Sequence, residues 1–289
     1  MEPKRRSLPK GGITLPDTLA GVPRALSIAG SDSGGGAGIQ ADLKTFSALG
    51  VYGMTAITAV TVQNTQGVSG YQEIEPETVA AQVLAVTSDI GADAAKTGML
   101  ASAGIIAAVA GALRQAPVPY LVVDPVFVSK HGHLLLREDA VDALKDDLLP
   151  LATLVTPNTH EAAGLAGFEV GSRSDMERAA EVILGLGPRA VLMKGGHLDG
   201  NIAADLLVHE GGSEWMEAPR IDTPNTHGTG CTLSAAITAC LAKAMDLVSS
   251  ARAGKAFVTE AIRHSLAVGK GIGPVNPLWQ TLPGSGKAS

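Results

Sequence analysis

Charge and aromatic rings are scarce in this sequence, and cysteine is nearly absent. Of 289 residues, 17% are charged, 3% are aromatic and two are cysteines. So little charge beside 45% hydrophobic residues excludes a disordered chain and a coiled coil. The two thiols, Cys231 and Cys240, fall nine residues apart on one predicted helix. That spacing puts their Cα atoms about 13 Å apart, beyond disulfide reach. They are expected as free thiols in a reducing compartment, and the protein in the cytoplasm. No apolar run reaches the roughly 20 residues of a membrane helix. The longest strongly apolar stretch, residues 101–113, contains two glycines and suits a buried helix, so no membrane partner is expected. A basic footprint is missing as well: net charge is −6, and residues 1–24 hold five bases against two acids, which leaves the rest at −9. That balance excludes a phosphate-tracking nucleic-acid surface. The Arg5-Arg6 pair is followed by Pro16, Asp17 and glycines instead of the apolar run of an export signal.

What the chain does have is length, glycine and short aliphatic runs. Residues 1–23 read as a solvated N-terminal extension, 24–276 as one domain with enough chain for a large core, and 277–289 as a loose tail. The runs at 25–30, 55–62, 92–97, 120–126, 152–156 and 190–194 are nearly continuous in apolar residues, as strands covered on both faces require. Helical stretches at 38–49, 76–90, 102–114, 137–148, 174–186 and from 231 onward alternate with them. The prediction is an α/β three-layer sandwich with a central, mostly parallel sheet flanked by helices. Between residues 202 and 221, two strand-like runs flank His209-Glu210-Gly211-Gly212, which predicts an antiparallel hairpin at one edge.

Ligands of such sheets gather at the carboxyl ends of the strands, so the residues there carry the functional signal. The first strand runs into Gly30-Ser31-Asp32-Ser33-Gly34-Gly35-Gly36-Ala37-Gly38, a tight turn or a backbone cradle before a helix. It is not a dinucleotide fingerprint, and no GK[ST] of a phosphate-binding loop exists in the chain. Asp42 stands beside the buried stripe Ile39, Leu43 and Phe46, either as a dipole partner or as a ligand contact. Gln63-Asn64 and Met99 end the next strands. Lys96-Thr97-Gly98 resembles a penicillin-recognising triplet, but the companion S-D-N is absent and the triplet is discounted. Asp124 and Glu161 place hard oxygens on one rim, suited to hydrated Mg²⁺ or to ordinary capping. Lys194-Gly195-Gly196-His197 offers an ammonium to a phosphate, or a solvated turn. In His227-Gly228-Thr229-Gly230-Cys231-Thr232-Leu233-Ser234, glycines open into an apolar helix, which reads as an anion hole. The same field is expected to lower the Cys231 pKa. Cys240 reads as a buried apolar residue.

Taken in order, 29–49, 62–67, 96–100, 124–126, 156–162, 194–197 and 227–234 closely resemble the hydroxymethylpyrimidine and phosphomethylpyrimidine kinases of thiamin biosynthesis. That family belongs to the ribokinase-like superfamily, and the matching segments span about residues 24–276. The resemblance implies a ribokinase-like sandwich, commonly a homodimer, using ATP and Mg²⁺. It implies a pyrimidine site at Gly30, Ala37, Asp42, Gln63, Met99 and Val126, with Gln63 on the aminopyrimidine edge. ATP phosphates would lie near Lys194, Thr229 and Gly230, with Asn158 nearby. Asp124 and Glu161 would arrange Mg²⁺, and Gly228, Gly230, Cys231 and Lys194 would serve catalysis. Cys231 occupies the place of an aspartate base in many sugar kinases. The implied substrates are hydroxymethylpyrimidine and its monophosphate, each phosphorylated in turn. Two rival readings are a pyridoxal kinase and a non-catalytic pyrimidine-binding regulator. The chain departs from the family in residues 1–23, in Phe127 where methionine is common, and in His131-Gly132-His133 where a Ser-Gly pair is typical.

Overall fold

A computed structural model describes residues 21–127, 138–196, 198 and 200–281. The expectations for His131-Gly132-His133, His197 and most of both terminal segments lie outside the described residues. The chain order is β1 (Arg24–Ser31), α1 (Gly38–Ala48), β2 (Tyr52–Asn64), β3 (Gly67–Glu73), α2 (Pro76–Asp89), β4 (Ala94–Thr97), α3 (Ala103–Gln115) and β5 (Leu121–Val123). Then follow α4 (Glu138–Ala143), which continues as a π-helical turn and a 3₁₀ turn to Leu151, β6 (Leu154–Val155), α5 (Thr159–Ala166), α6 (Arg173–Leu184), β7 (Ala190–Met193), β8 (Ile202–His209), β9 (Gly212–Pro219), α7 (Thr229–Ala242) and α8 (Leu247–Arg263). Among the described residues no helix is long and apolar enough to cross a membrane.

The nine strands form one sheet in the order β3-β2-β1-β4-β5-β6-β7-β8-β9. Neighbours from β2 through β7 pair in parallel, and β4, β5, β6 and β7 are buried at every position. Alternate residues serve opposite faces. Leu26, Val123, Val155 and Val191 pack with α2, α3 and α6 through Val79, Ile105, Ile106, Met176 and Ile183. Their neighbours Ala25, Val122, Leu154 and Leu192 pack on the other side with Phe46 of α1, Ile237 of α7 and Val258 of α8. Burial on both faces is why these runs lack the alternation of a half-exposed strand.

The predicted hairpin is β8–β9, antiparallel to β7 and closing one edge. A second antiparallel edge, β3 against β2, is not predicted by the sequence. Its sequence, GVSGYQE, holds two glycines and buries one residue of seven, so no hydrophobic period marks it. Helix α5 is also absent from the sequence reading, because eight residues are too few to display a helical stripe. At the other end, Pro277 is buried and Trp279 packs edge-on against Phe257 at 4.6 Å, so the chain stays on α8 through that residue.

Helix α7 is buried at every position from Thr232 to Ala242, the mark of a helix enclosed on all sides. Its contact with α8 depends on Gly254, where an added Cβ would lie 2.5 Å from Ile237 Cγ1. Replacing a helix-interior glycine by alanine ordinarily gains about 0.5–1 kcal/mol. Gly254→Ala is expected instead to destabilise by roughly 1–3 kcal/mol through overpacking, read by urea denaturation. A stabilised variant would contradict this packing.

Candidate active site

Asp32 follows β1 directly, and its buried carboxylate organises the loop after it. Oδ1 accepts the Gly34 amide at 2.8 Å, and Oδ2 accepts those of Gly36 and Ala37 at 3.0 and 2.8 Å. The same Oδ2 meets His227 Nε2 at 2.9 Å. Burial alone would raise this carboxyl, but His227 and the amides outweigh it and hold Asp32 below the usual range. The loop is thereby laid against the turn before α7. There Gly228 takes φ +79°, and a Cβ would collide with the Gly36 carbonyl oxygen, so only glycine fits.

These turns form one wall of a cavity of about 670 Å³ at the carboxyl ends of the strands. Among the described residues no side chain caps the start of α7, and Gly228, Thr229, Gly230 and Cys231 all line the cavity. Opposite them, Lys194 Nζ lies 2.8 Å from Asp124 Oδ1 and 3.5 Å from Glu161 Oε2. A Cβ on Gly230 would sit 3.4 Å from Lys194 Nζ and 3.7 Å from Asp124 Oδ2, so the helix mouth and the acidic rim are adjacent. Asp205 on β8 fixes the turn after Lys194: its Oδ1 accepts the Gly195 amide at 2.9 Å, and its Oδ2 holds Lys255 of α8 at 2.7 Å.

Asn158 and Glu161 also close a capping box on α5. Glu161 N donates to Asn158 Oδ1 at 2.9 Å, and Asn158 N donates to Glu161 Oε2 at 2.7 Å. Burial pushes the Glu161 carboxyl up to about 7; Lys194 opposes this and Asp124 reinforces it. Asp124, despite its burial, is held below the usual range by Lys194 and Lys96. Lys194 is pushed upward, since the two carboxylates outweigh the cost of burying an ammonium. Among the described residues no group of three or more His, Cys, Asp or Glu is arranged to hold a metal ion.

Of the predicted pyrimidine site, Gly30, Ala37, Gln63, Met99 and Val126 line the cavity, as do Asn158, Asp124, Glu161 and Lys194. Asp42 is not among the lining residues. It is fully buried, accepting Ser27 Oγ at 2.6 Å and Lys96 Nζ at 2.9 Å on Oδ2, and Oδ1 has no partner among the described residues. Lys96, itself fully buried, neutralises that carboxylate beneath the cavity, which it helps to line. Burial works against its ammonium, yet Asp42, Cys231 and Asp124 together raise its pKa. The expected lowering of the Cys231 pKa is corrected by the structure. Burial pushes the thiol up to about 12, with Asp42 and Asp124 adding to it and Lys96 and the Gly38 amide only partly opposing it. Desolvation and two nearby carboxylates outweigh the field of one helix end.

Sequence reasoning missed three residues here. Lys96 was set aside with its triplet, although a lysine inside a strand buried at all four positions is itself a signal. Asp32 and His227 read as parts of glycine-rich turns, and nothing local announces that they pair across the chain.

Over residues 32–276 the chain matches the family described as phosphomethylpyrimidine kinase. It is 49% identical over 267 residues to the hydroxymethylpyrimidine/phosphomethylpyrimidine kinase of Streptomyces coelicolor, covering 92% of this chain and 98% of that protein. Among solved structures, the ADP complex of Bacillus subtilis pyridoxal kinase is similar at a TM-score of 0.84 and 42% identity, over 89% of this chain and 98% of that one. The phosphomethylpyrimidine kinase of Clostridium difficile 630 is similar at a TM-score of 0.74 and 46% identity, over 83% and 99%.

A carboxyl raised from 4.5 to about 7 opposes folding increasingly as pH rises across that window. Glu161→Gln keeps a capping oxygen and removes the charge. Without divalent cations, the variant is expected to be more stable than the parent at pH 8 by up to roughly 3 kcal/mol. That advantage is expected to fade as pH falls toward 4.5 in thermal melts. A pH-independent difference would show that the buried charge is not its source.

Proposed function

The chain belongs to the phosphomethylpyrimidine kinase family, and on that premise we propose that it phosphorylates 4-amino-5-hydroxymethyl-2-methylpyrimidine to the monophosphate and then to the diphosphate, with ATP as donor. The observation that carries this reading is the adjacency of Gly230 to both Lys194 Nζ and Asp124 Oδ2. One short stretch of rim thus offers main-chain nitrogens, an ammonium and carboxylates to a phosphoryl group in transit. Phosphoryl transfer asks mainly for alignment and charge neutralisation, which such a cradle supplies.

The residues take the following parts. Gly30, Ala37, Met99 and Val126 enclose the ring and Gln63 reads its amino edge, while Asp42 acts from beneath through Lys96. Lys194, Thr229 and Gly230, with Asn158 nearby, hold the donor phosphates, and Gly228 keeps the turn open. Cys231 faces the acceptor hydroxyl. With its pKa near 12 it is a neutral thiol at pH 7, suited to hold the hydroxyl in line and not to act as a strong base. Asp124 and Glu161 fit a Mg²⁺ ion: both are hard oxygen donors, they are few, and Glu161 is a poorly compensated carboxylate. Bound there together with substrate phosphates and water, the ion would neutralise the charge that develops on the transferred group. We also place the enzyme in the cytoplasm, in keeping with two free thiols, and as a homodimer, in keeping with Val60 and Val62 exposed two residues apart on β2.

The likeness to Bacillus subtilis pyridoxal kinase supports a second reading, phosphorylation of pyridoxal. Supplying both alcohols with ATP and Mg²⁺ and weighing the products by mass spectrometry separates the two. Addition of two phosphates to the hydroxymethylpyrimidine is expected. A single phosphate removes the second activity, and turnover of pyridoxal alone replaces the reading. Cys231→Ala is expected to lower turnover at least about tenfold, a loss of some 1.4 kcal/mol in the transition state, with ATP affinity little changed.

A further inference from the structure

The Gln63 amide is held at both ends. As placed, Oε1 lies 3.2 Å from Thr61 Oγ1 and Nε2 lies 3.3 Å from His227 Nε2, and the partners' hydrogens call for the reverse orientation. An amide nitrogen and oxygen have the same shape, so which atom stands on which side is settled by the partners' hydrogens. We propose that His227 is a positioning residue that fixes which way round the Gln63 amide stands, and thereby the polarity with which the heterocycle is read. The inference rests on the pyrimidine kinase reading above for the identity of the ring.

Two partners decide the orientation independently. A threonine hydroxyl has a single hydrogen, and Thr61 spends it on the Ser31 carbonyl at 2.8 Å, its shorter contact. Toward Gln63 it is left as an acceptor, so the amide nitrogen belongs on the Thr61 side. At the other end, His227 Nε2 faces Asp32 Oδ2 at 2.9 Å. That carboxylate already accepts the amides of Gly34, Gly36 and Ala37 and serves as an acceptor only. Nε2 must therefore carry a hydrogen, and a nitrogen so protonated has no lone pair to accept an amide N–H from its second neighbour at 3.3 Å. The amide oxygen belongs on the His227 side, in agreement with the first argument. The main chain of His227 is anchored and its ring is packed against the loop. His227 N donates to Gly273 O at 3.1 Å, His227 O accepts Val275 N at 3.0 Å, and the ring abuts Gly36, where a Cβ would lie 2.5 Å from Cδ2.

The orientation has a consequence at the reacting end. With oxygen toward His227 and nitrogen toward Thr61, the free lone pair accepts from the 4-amino group and the free N–H donates to ring N3. The 4-amino group then lies on the His227 side. The hydroxymethyl arm is borne by the next ring carbon, so it continues in the same direction, toward Gly228 and Cys231. The opposite amide would turn that arm toward Thr61. A 4-oxo ring presents an acceptor and an N–H in these two places and is refused by a fixed amide.

Two measurements test the proposal. In the whole unmodified protein, uniformly ¹⁵N-labelled at its seven histidines, the His227 ring is assigned as the signal lost in His227→Phe. Protonated Nε2 at pH 7 is expected, and an unprotonated Nε2 overturns the proposal. Kinetically, the parent is expected to prefer 4-amino-5-hydroxymethyl-2-methylpyrimidine over its 4-oxo counterpart in kcat/KM. In His227→Phe, which keeps a ring but no donor, that preference is expected to fall at least tenfold. Equal losses on both substrates, with the ratio unchanged, would mark a structural role only and overturn it. Should the parent fail to phosphorylate the aminopyrimidine at all, the kinase reading falls, and the protonation of Nε2 still decides the orientation.

Discussion

The N-terminal ends of the first and the penultimate helices meet because side chains are missing between them. Gly36 and Gly228 approach so closely that a Cβ on the latter would strike the former's carbonyl oxygen, and Asp32 binds the two turns through three amides and His227. From that contact follow the position of Gly230 beside Lys194 and Asp124, the nearness of Gln63 to His227, and the amide of Gly38 on the Cys231 thiol. A side chain at Gly228 would part the turns and disperse all three.

Around this contact the fold buries charge that contributes little to stability by itself. Lys96 and Asp42 are wholly inaccessible, Asp124 and Glu161 are nearly so, and Lys194 is mostly buried. Removing such groups from water costs several kcal/mol per ion, offset only by close pairing and added hydrogen bonds. The offset here is incomplete, as the raised carboxyl of Glu161 and an Asp42 Oδ1 without a partner among the described residues record. An incompletely neutralised acidic rim beside an ammonium suits a site that receives phosphates and a cation, since their arrival supplies the missing balance. The neutral Cys231 thiol belongs to the same economy, because a third negative charge beside Asp42 and Asp124 would be opposed by both.

Much of this was legible in the sequence. The buried runs of β1 and β4 through β7 showed their continuous apolar character, and the residues at their carboxyl ends are the ones that line the cavity. What escaped was non-local or locally weak. Strand β3 is glycine-rich and mostly exposed, and α5 is marked only by the Asn158 and Glu161 capping pair. Lys96 is unremarkable until its strand is known to be covered on both faces. The Asp32–His227 link joins residues 195 apart, and no pattern of spacing encodes it. The thiol pKa departs from the sequence expectation because a helix end can be read from sequence, whereas the carboxylates that surround it in space cannot.

Gly230 offers the most direct test of the cradle between the late helix and the acidic rim. A methyl group there meets Lys194 and Asp124 at ordinary van der Waals distances, so the fold tolerates it while the space for phosphate is filled. Calorimetric titration of Gly230→Ala with ADP, and separately with adenosine, should show ADP binding weakened at least about tenfold, or 1.4 kcal/mol, with adenosine binding and melting temperature as in the parent. Unaltered ADP affinity in a fully folded variant would mean that the phosphates lie elsewhere.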